Sequence, residues 1–202
     1  MQVAPERPSS WRSFLKAQWG EIAGMDFFTT EVWTPTGLRT YYVLFLVDLE
    51  TRGIRVAGIT RHPNGAFMAQ VARNLTDAVD GFLCSHRFVI CDRDSCFTAE
   101  FRNILATAGV RVIQTPRQAP NCNAHAERFV LSIKSECLER MIVFDESSLR
   151  RAVAEYVEHY HAERAHQGLG NERIAKPDTR ASSNNQCRER FGGILKHYYR
   201  AA

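Results

Sequence analysis

Residues 89–97, VICDRDSCF, decide how this sequence is read. An apolar run, Phe88, Val89 and Ile90, breaks off into Asp92, Arg93 and Asp94. The run predicts a buried strand that delivers two acids to the rim of a sheet. Acids at a strand end suit a metal or catalytic site. They also suit a strand-to-helix loop in which an aspartate only caps the next helix. Elements elsewhere in the chain bear on that choice.

Working outward, residues 21–33, EIAGMDFFTTEVW, are rich in aromatic and β-branched side chains and predict a first strand. Asp26 stands in its middle, between Met25 and Phe27. A buried carboxylate is expensive, so Asp26 must be paired, metal-bound or at the mouth of the sheet. Turns at residues 34–37 and 51–53 separate two further strands, over 38–49 and 54–60. Three strands with tight turns predict an antiparallel meander. Apolar residues from Phe67 to Phe82 recur with a helical period. The strand at 87–91 is reached through that helix and is expected to be parallel to its neighbour.

Downstream, Thr98 is the expected N-cap of a helix over 98–108 that Gly109 stops. A short strand follows over 110–115. Residues 116–123, PRQAPNCN, form a polar loop, and a helix over 123–140 follows it. A last helix, capped by Ser147 or Ser148, runs to about Arg164. One strand is expected over 191–199. The order βββ-α-β-α-β-α-α predicts an α/β fold with a mixed five-stranded sheet, three strands antiparallel and two parallel, flanked by helices. The division expected is a flexible lead-in at 1–12, a core at 13–175 and a basic extension at 176–202.

The chain has 202 residues, a net charge of +4 and six cysteines. That size suits one domain with a proper core. The mild positive charge permits a polyanionic partner without requiring one. No C-x-x-C pair, signal peptide or bilayer-length apolar run is present, so a reduced, cytoplasmic setting without a membrane partner is expected. Cys91, in the apolar strand, reads as a buried structural thiol.

Three acids occupy unusual places: Asp26 inside the first strand, Asp92 at the end of the fourth, and Glu127 near the start of the helix after the polar loop. If the first and fourth strands are neighbours, Asp26 and Asp92 lie side by side, and Glu127 needs one helical turn to reach them. Converging carboxylates are hard oxygen ligands that favour Mg²⁺ or Mn²⁺. Two such ions can activate a nucleophile and stabilise a leaving group in phosphoryl transfer. Lys134 lies two turns past Glu127 on the same face and suits a phosphate or plain solvent. Arg128 points elsewhere and is either structural or a DNA-backbone contact. Arg117, Gln118, Asn121 and Asn123 are polar loop groups suited to DNA or to solvent. Asp48 reads as a strand-end acid satisfied by Arg52 or backbone. His125 is on another face from Glu127. His159, His161 and His166 read as capping or surface histidines.

The spacing of 35 residues from Asp92 to Glu127, Phe97 five residues after Asp92, Asn121 to Arg128 leading into Phe129, and the stretch from Tyr160 through Arg164 to His166-Gln167-Gly168-Leu169 together resemble the integrase catalytic core of retroviral-type integrases and insertion-sequence transposases. The resemblance spans about residues 15–175. It implies an RNase H-like fold with Asp26, Asp92 and Glu127 as an Asp-Asp-Glu triad holding two divalent ions, Mg²⁺ or Mn²⁺. It implies a DNA transposase or integrase that cleaves and joins strands at mobile-element ends and target DNA, as a homo-oligomer, in a bacterial, nucleoid-associated setting. The alternatives are an RNase H-like structure-specific nuclease without strand transfer and a non-catalytic DNA-binding remnant. Two features depart from the family. Asp94 stands where a glycine is usual, so Asp92 and Asp94 both compete for the ligand role; the offsets to Phe97 and Glu127 favour Asp92. Related transposases carry a helix-turn-helix domain ahead of the core, which is expected to be missing, separate or trimmed here.

Overall fold

The computed structural model describes residues 11–115, 124–175 and 185–200. A short helix α1 (Trp11–Ala17) leads into β1 (Ile22–Thr34), β2 (Gly37–Asp48) and β3 (Ile54–Thr60). Then come α2 (Gly65–Leu75), β4 (Phe88–Cys91), α3 (Ala99–Thr107), β5 (Arg111–Gln114), α4 (Ala124–Glu136) and α5 (Asp145–Ala162). A separate hairpin of β6 (Asn185–Arg190) and β7 (Leu195–Arg200) closes the described chain.

The five-stranded sheet has the order β3-β2-β1-β4-β5. The first three strands are antiparallel, while β1–β4 and β4–β5 are parallel. This is the mixed sheet expected from the sequence. Its physical basis is alternation on strands buried from both sides. Ile22, Phe28, Val43, Phe45, Val47 and Ile90 face one core, closed by Phe129 and Ile133 of α4 and Leu149, Val153 and Tyr156 of α5. Ala23, Met25, Leu44, Leu46, Val89 and Cys91 face the other, closed by Met68 and Val71 of α2 and Phe101 and Leu105 of α3. Phe129 is the keystone of the first core, its ring 4.9 Å from Phe45 and 5.2 Å from Tyr160. Burying one such side chain contributes about 1.5–3 kcal/mol.

Several boundaries differ from expectation. α2 stops at Leu75 rather than at Phe82, because Thr76 turns its backbone N–H and its hydroxyl back to the Ala72 carbonyl. Asp77 then accepts from the Val79 N–H in a local turn that competes with helix. Gly81 closes that turn; a Cβ there would fall 2.4 Å from the Asp77 carbonyl oxygen. α4 ends at Glu136, and residues 138–140 form a separate tight turn. Neither Ser147 nor Ser148 caps α5: Asp145 Oδ1 accepts from the Ser148 N–H at 2.8 Å and from the Ser147 hydroxyl at 2.6 Å. Instead of one strand over 191–199 there is a hairpin, turned by Phe191, Gly192 and Gly193 at positive φ. Among the described residues no helix is long and apolar enough to cross a membrane.

The C-terminal hairpin is fastened to α5 by a buried carboxylate. Glu163 accepts from Arg190 at 2.8 Å, from Arg188 at 3.3 Å and from His159 Nδ1 at 2.7 Å. The expected surface or capping role of the histidines is thereby corrected. His159 and His166 are buried, and His166 Nε2 donates to the Tyr160 carbonyl at 2.7 Å. His161 Nε2 accepts from the Ile54 N–H at 2.8 Å, joining α5 to β3.

Candidate active site

β1 and β4 run in parallel with Ile22 opposite Phe88 and Gly24 opposite Ile90. Continued by two residues, that register sets Asp92 level with Asp26. β4 ends at Cys91, so Asp92 emerges at the rim while Asp26 remains on the longer β1. Asp26 is half-buried and accepts from the Phe27 N–H at 2.8 Å. Asp92 is exposed, and its Oδ1 accepts from the Asp94 N–H at 3.1 Å.

Asp94 organises the turn rather than facing Asp26. Its Oδ1 accepts from the Cys96 N–H at 2.9 Å, and its carbonyl accepts from the Phe97 N–H at 3.2 Å. Phe97 is buried, 6.2 Å from the Phe27 ring. Arg93 crosses to the Thr115 carbonyl at 3.2 Å and ties the turn to the end of β5. Thr98 then caps α3, accepting from the Phe101 N–H at 3.2 Å.

Glu127 stands in the first turn of α4, where the helix dipole favours a carboxylate. It shares an open cleft of about 330 Å³ with Asp26, Phe27, Val130, Leu131, Lys134, Ser135 and Glu139. Burial pushes the Asp26 carboxyl up to about 6, against the Phe27 hydrogen bond that lowers it. The charges of Asp92 and Glu127 push it up further. Asp26 is therefore within electrostatic reach of both Asp92 and Glu127.

Among the described residues, no three His, Cys, Asp or Glu side chains form a ready-made ion cage. The donors nonetheless fit a divalent ion. They are all hard oxygens, and the Asp26 carboxyl, pushed up by burial first and by the charges of Asp92 and Glu127 after it, is one whose ionised form a dication would favour.

Lys134 lines the cleft with Asp26 and Glu127. Arg128 does not; its charge is felt by His125, Arg52 and Tyr160, on another flank of α4. His125 packs edge-on against Trp19, and burial with the charges of Arg52 and Arg128 lowers it to about 4. Arg117, Gln118, Asn121 and Asn123 lie outside the described residues. Asp94 lines a neighbouring cleft of about 470 Å³ with Phe27, Tyr42, Asn64 and Thr98. Asp48 is satisfied by the Glu50 and Thr51 N–H groups and by His86 at 3.1 Å, with His86 in the place expected for Arg52. Cys91 is fully buried, and burial pushes its thiol up to about 12.

Sequence reasoning missed the remainder of the cleft: Val130, Leu131, Ser135 and Glu139. The three-and-four spacing from Glu127 carried that signal for Val130 and Leu131. It also missed how α4 is held. Arg164 donates to Glu136 at 2.8 Å and to Ser132 at 3.3 Å, and Tyr156 donates to Glu136 at 2.8 Å.

Residues 108–172 match the family model described as an integrase core domain. No curated protein matches the chain. Among solved structures, the catalytic core domain of BIV integrase is 12% identical, with 77% of this chain and 91% of that one covered and a TM-score of 0.52. The catalytic core domain of HTLV-2 integrase in complex with magnesium, in its trimeric form, is 12% identical, with 75% and 92% covered and a TM-score of 0.54. The catalytic domain of Mos1 mariner transposase is 16% identical, with 73% and 74% covered and a TM-score of 0.56. The five-stranded mixed sheet is thus the RNase H-like fold of these cores, and the chain resembles the integrase core domain in sequence over residues 108–172 and integrase and transposase catalytic cores in fold over 73–77% of its length.

Proposed function

We propose that this chain is a metal-dependent polynucleotidyl transferase, a DNA transposase or integrase core that cleaves DNA strands and joins them to a target. One observation carries the reading: the parallel register of β1 and β4 sets Asp92 level with Asp26, and Glu127 shares the Asp26 cleft, at the rim of an integrase-like sheet. The catalytic core is assigned to residues 13–175, between a lead-in at 1–12 and a basic extension at 176–202.

Asp26, Asp92 and Glu127 would hold two Mg²⁺ or Mn²⁺ ions. When bound, such ions make a hydroxyl nucleophilic and stabilise the departing 3′ oxygen. The protein's own part is positional. Asp26 is fixed by a central strand, Asp92 by the turn that Asp94 closes, and Glu127 by a helix anchored through Glu136 and Arg164. Lys134, two turns along from Glu127, offers an ammonium to a backbone phosphate of the bound strand. Catalysis then comes from orientation and electrostatics, without a covalent enzyme intermediate. DNA is the partner, held by a homo-oligomer that brings two ends together.

The test uses a labelled duplex end with Mn²⁺. Shortened strands and longer, joined products are expected. Asp26→Asn, Asp92→Asn and Glu127→Gln should each lower both by about a thousandfold or more, as expected when a group acting on developing charge is removed. Cleavage without joined products points to a nuclease of the same fold. Binding with neither product points to a DNA-binding remnant.

A further inference from the structure

α4 turns one stripe toward the carboxylate cleft. Glu127, Val130, Leu131 and Lys134 recur at spacings of three and four and all line it. The other stripe, Ala126, Phe129 and Ile133, is fully buried. On the cleft stripe only Val130 also packs against that core, so core packing does not dictate Glu127, Leu131 or Lys134. Glu127 and Lys134 have obvious uses in phosphoryl transfer. Leu131 does not.

Leu131 is 69% exposed, yet it lines the cleft beside Val130 and Phe27. A single exposed leucine on an ordinary surface needs no explanation. This one stands between a carboxylate and an ammonium, about one turn from each. Along the helix axis Glu127 is about 6 Å from Leu131 and about 10 Å from Lys134. A DNA strand rises about 3.4 Å per nucleotide. A strand held at one phosphate by the carboxylates and at another by Lys134 must pass Leu131 with a sugar or base between them.

An aliphatic side chain offers a phosphate nothing, but it can fill the space left when base steps open. We propose that Leu131, backed by Val130, is a wedge. It packs against the terminal base pair of a bound DNA end and holds the reacting strand apart from its complement. The proposal rests on the polynucleotidyl-transfer reading of the cleft. Opening the end lets the phosphate beside it descend toward Asp26 and Glu127, while Lys134 keeps hold of the strand farther in.

The test takes the full chain with Mn²⁺ and a short blunt DNA duplex carrying 2-aminopurine at its terminal position. Its fluorescence should rise about threefold on binding, because the base leaves the stack. Leu131→Ser should abolish that rise while anisotropy shows DNA affinity unchanged. Leu131→Phe should keep it. A duplex whose terminal pair is already mismatched should restore cleavage to Leu131→Ser. Glu127→Gln should open the end without cleaving it. Equal opening and cleavage by Leu131→Ser and the parent chain would overturn the wedge and leave the catalytic reading standing. Opening by the parent chain with neither cleavage nor joining would sink the catalytic reading and leave the wedge. No binding of the duplex at all would remove both.

Discussion

Arg164 and Glu136 meet at 2.8 Å and join the chain just past α5 to the last turn of α4. Arg164 also lies over the Tyr160 ring, 5.5 Å from its centroid. Burial alone would push the Glu136 carboxyl up, but hydrogen bonds from Arg164 and Tyr156 outweigh it and hold it down. The pair matters because the same helix carries Glu127 and Lys134.

Arg164→Ala leaves Glu136 without its cation and is expected to destabilise the fold by about 1–3 kcal/mol. It should also slow strand cleavage about tenfold or more, since a small displacement of α4 moves Glu127 relative to Asp26. Arg164→Lys keeps the charge but loses the fork, and should recover only part of the rate. Thermal melts beside cleavage rates check this. A normal rate in a destabilised Arg164→Ala protein would show that the pair is structural alone.

Asp26→Asn removes a half-buried carboxylate that burial, and then the charges of Asp92 and Glu127, push up. In the absence of divalent ions it is expected to stabilise the fold by about 1–3 kcal/mol. With Mg²⁺ the order should reverse. Ligand at a hundred times its dissociation constant adds about 2.7 kcal/mol to a protein that binds it. Asp26→Asn should lose that gain. Melting curves with and without Mg²⁺ test both halves.

Glu163 links hairpin and core, and its carboxyl sets a pH limit. Burial would raise it, but hydrogen bonds from Arg190 and His159, the Arg190 charge and a hydrogen bond from Arg188 hold it down to about 2. A depressed acid stabilises the fold above its unfolded value and loses that stabilisation as pH falls toward the folded one. The window is therefore about pH 4.5 down to about 2, and the amount at stake is on the order of 3 kcal/mol. Glu163→Gln should be less stable at neutral pH and show a flatter acid limb in that window. Denaturant midpoints at a series of pH values measure it.

The sheet was legible because its strands obey two readable rules. β2 from Tyr41 to Val47 and the whole of β4 are apolar, and Asp26 and Asp92 interrupt apolar runs where a carboxylate needs a reason to be. Glu127 and Lys134 were legible through helical spacing. What stayed hidden depends on contacts remote in sequence. Nothing near Glu163 announces Arg190, and nothing near Glu136 announces Arg164. The α2 boundary was missed because apolar periodicity runs on through Val79 and Phe82, while Thr76 and Asp77 divert the backbone hydrogen bonds. The closing hairpin was missed because its strands are short and charged, and their stability comes from the anchor at Glu163.

Asp94 stands two residues from Asp92. It receives the Cys96 N–H and gives its own N–H to Asp92. The side chain thus holds the turn that aims Asp92, and its carboxylate lines the neighbouring cleft rather than the one shared by Asp26 and Glu127. Asp94→Asn keeps an acceptor for Cys96 and should retain cleavage within about threefold, because only a charge distant from the reacting phosphate is lost. Asp94→Gly frees the turn and should lower the cleavage rate about tenfold through a looser Asp92, with little change in DNA affinity. Asp92→Asn should be inactive in the same assay. Full activity in Asp92→Asn with loss in Asp94→Asn would make Asp94 the ligand and Asp92 the residue that shapes the turn.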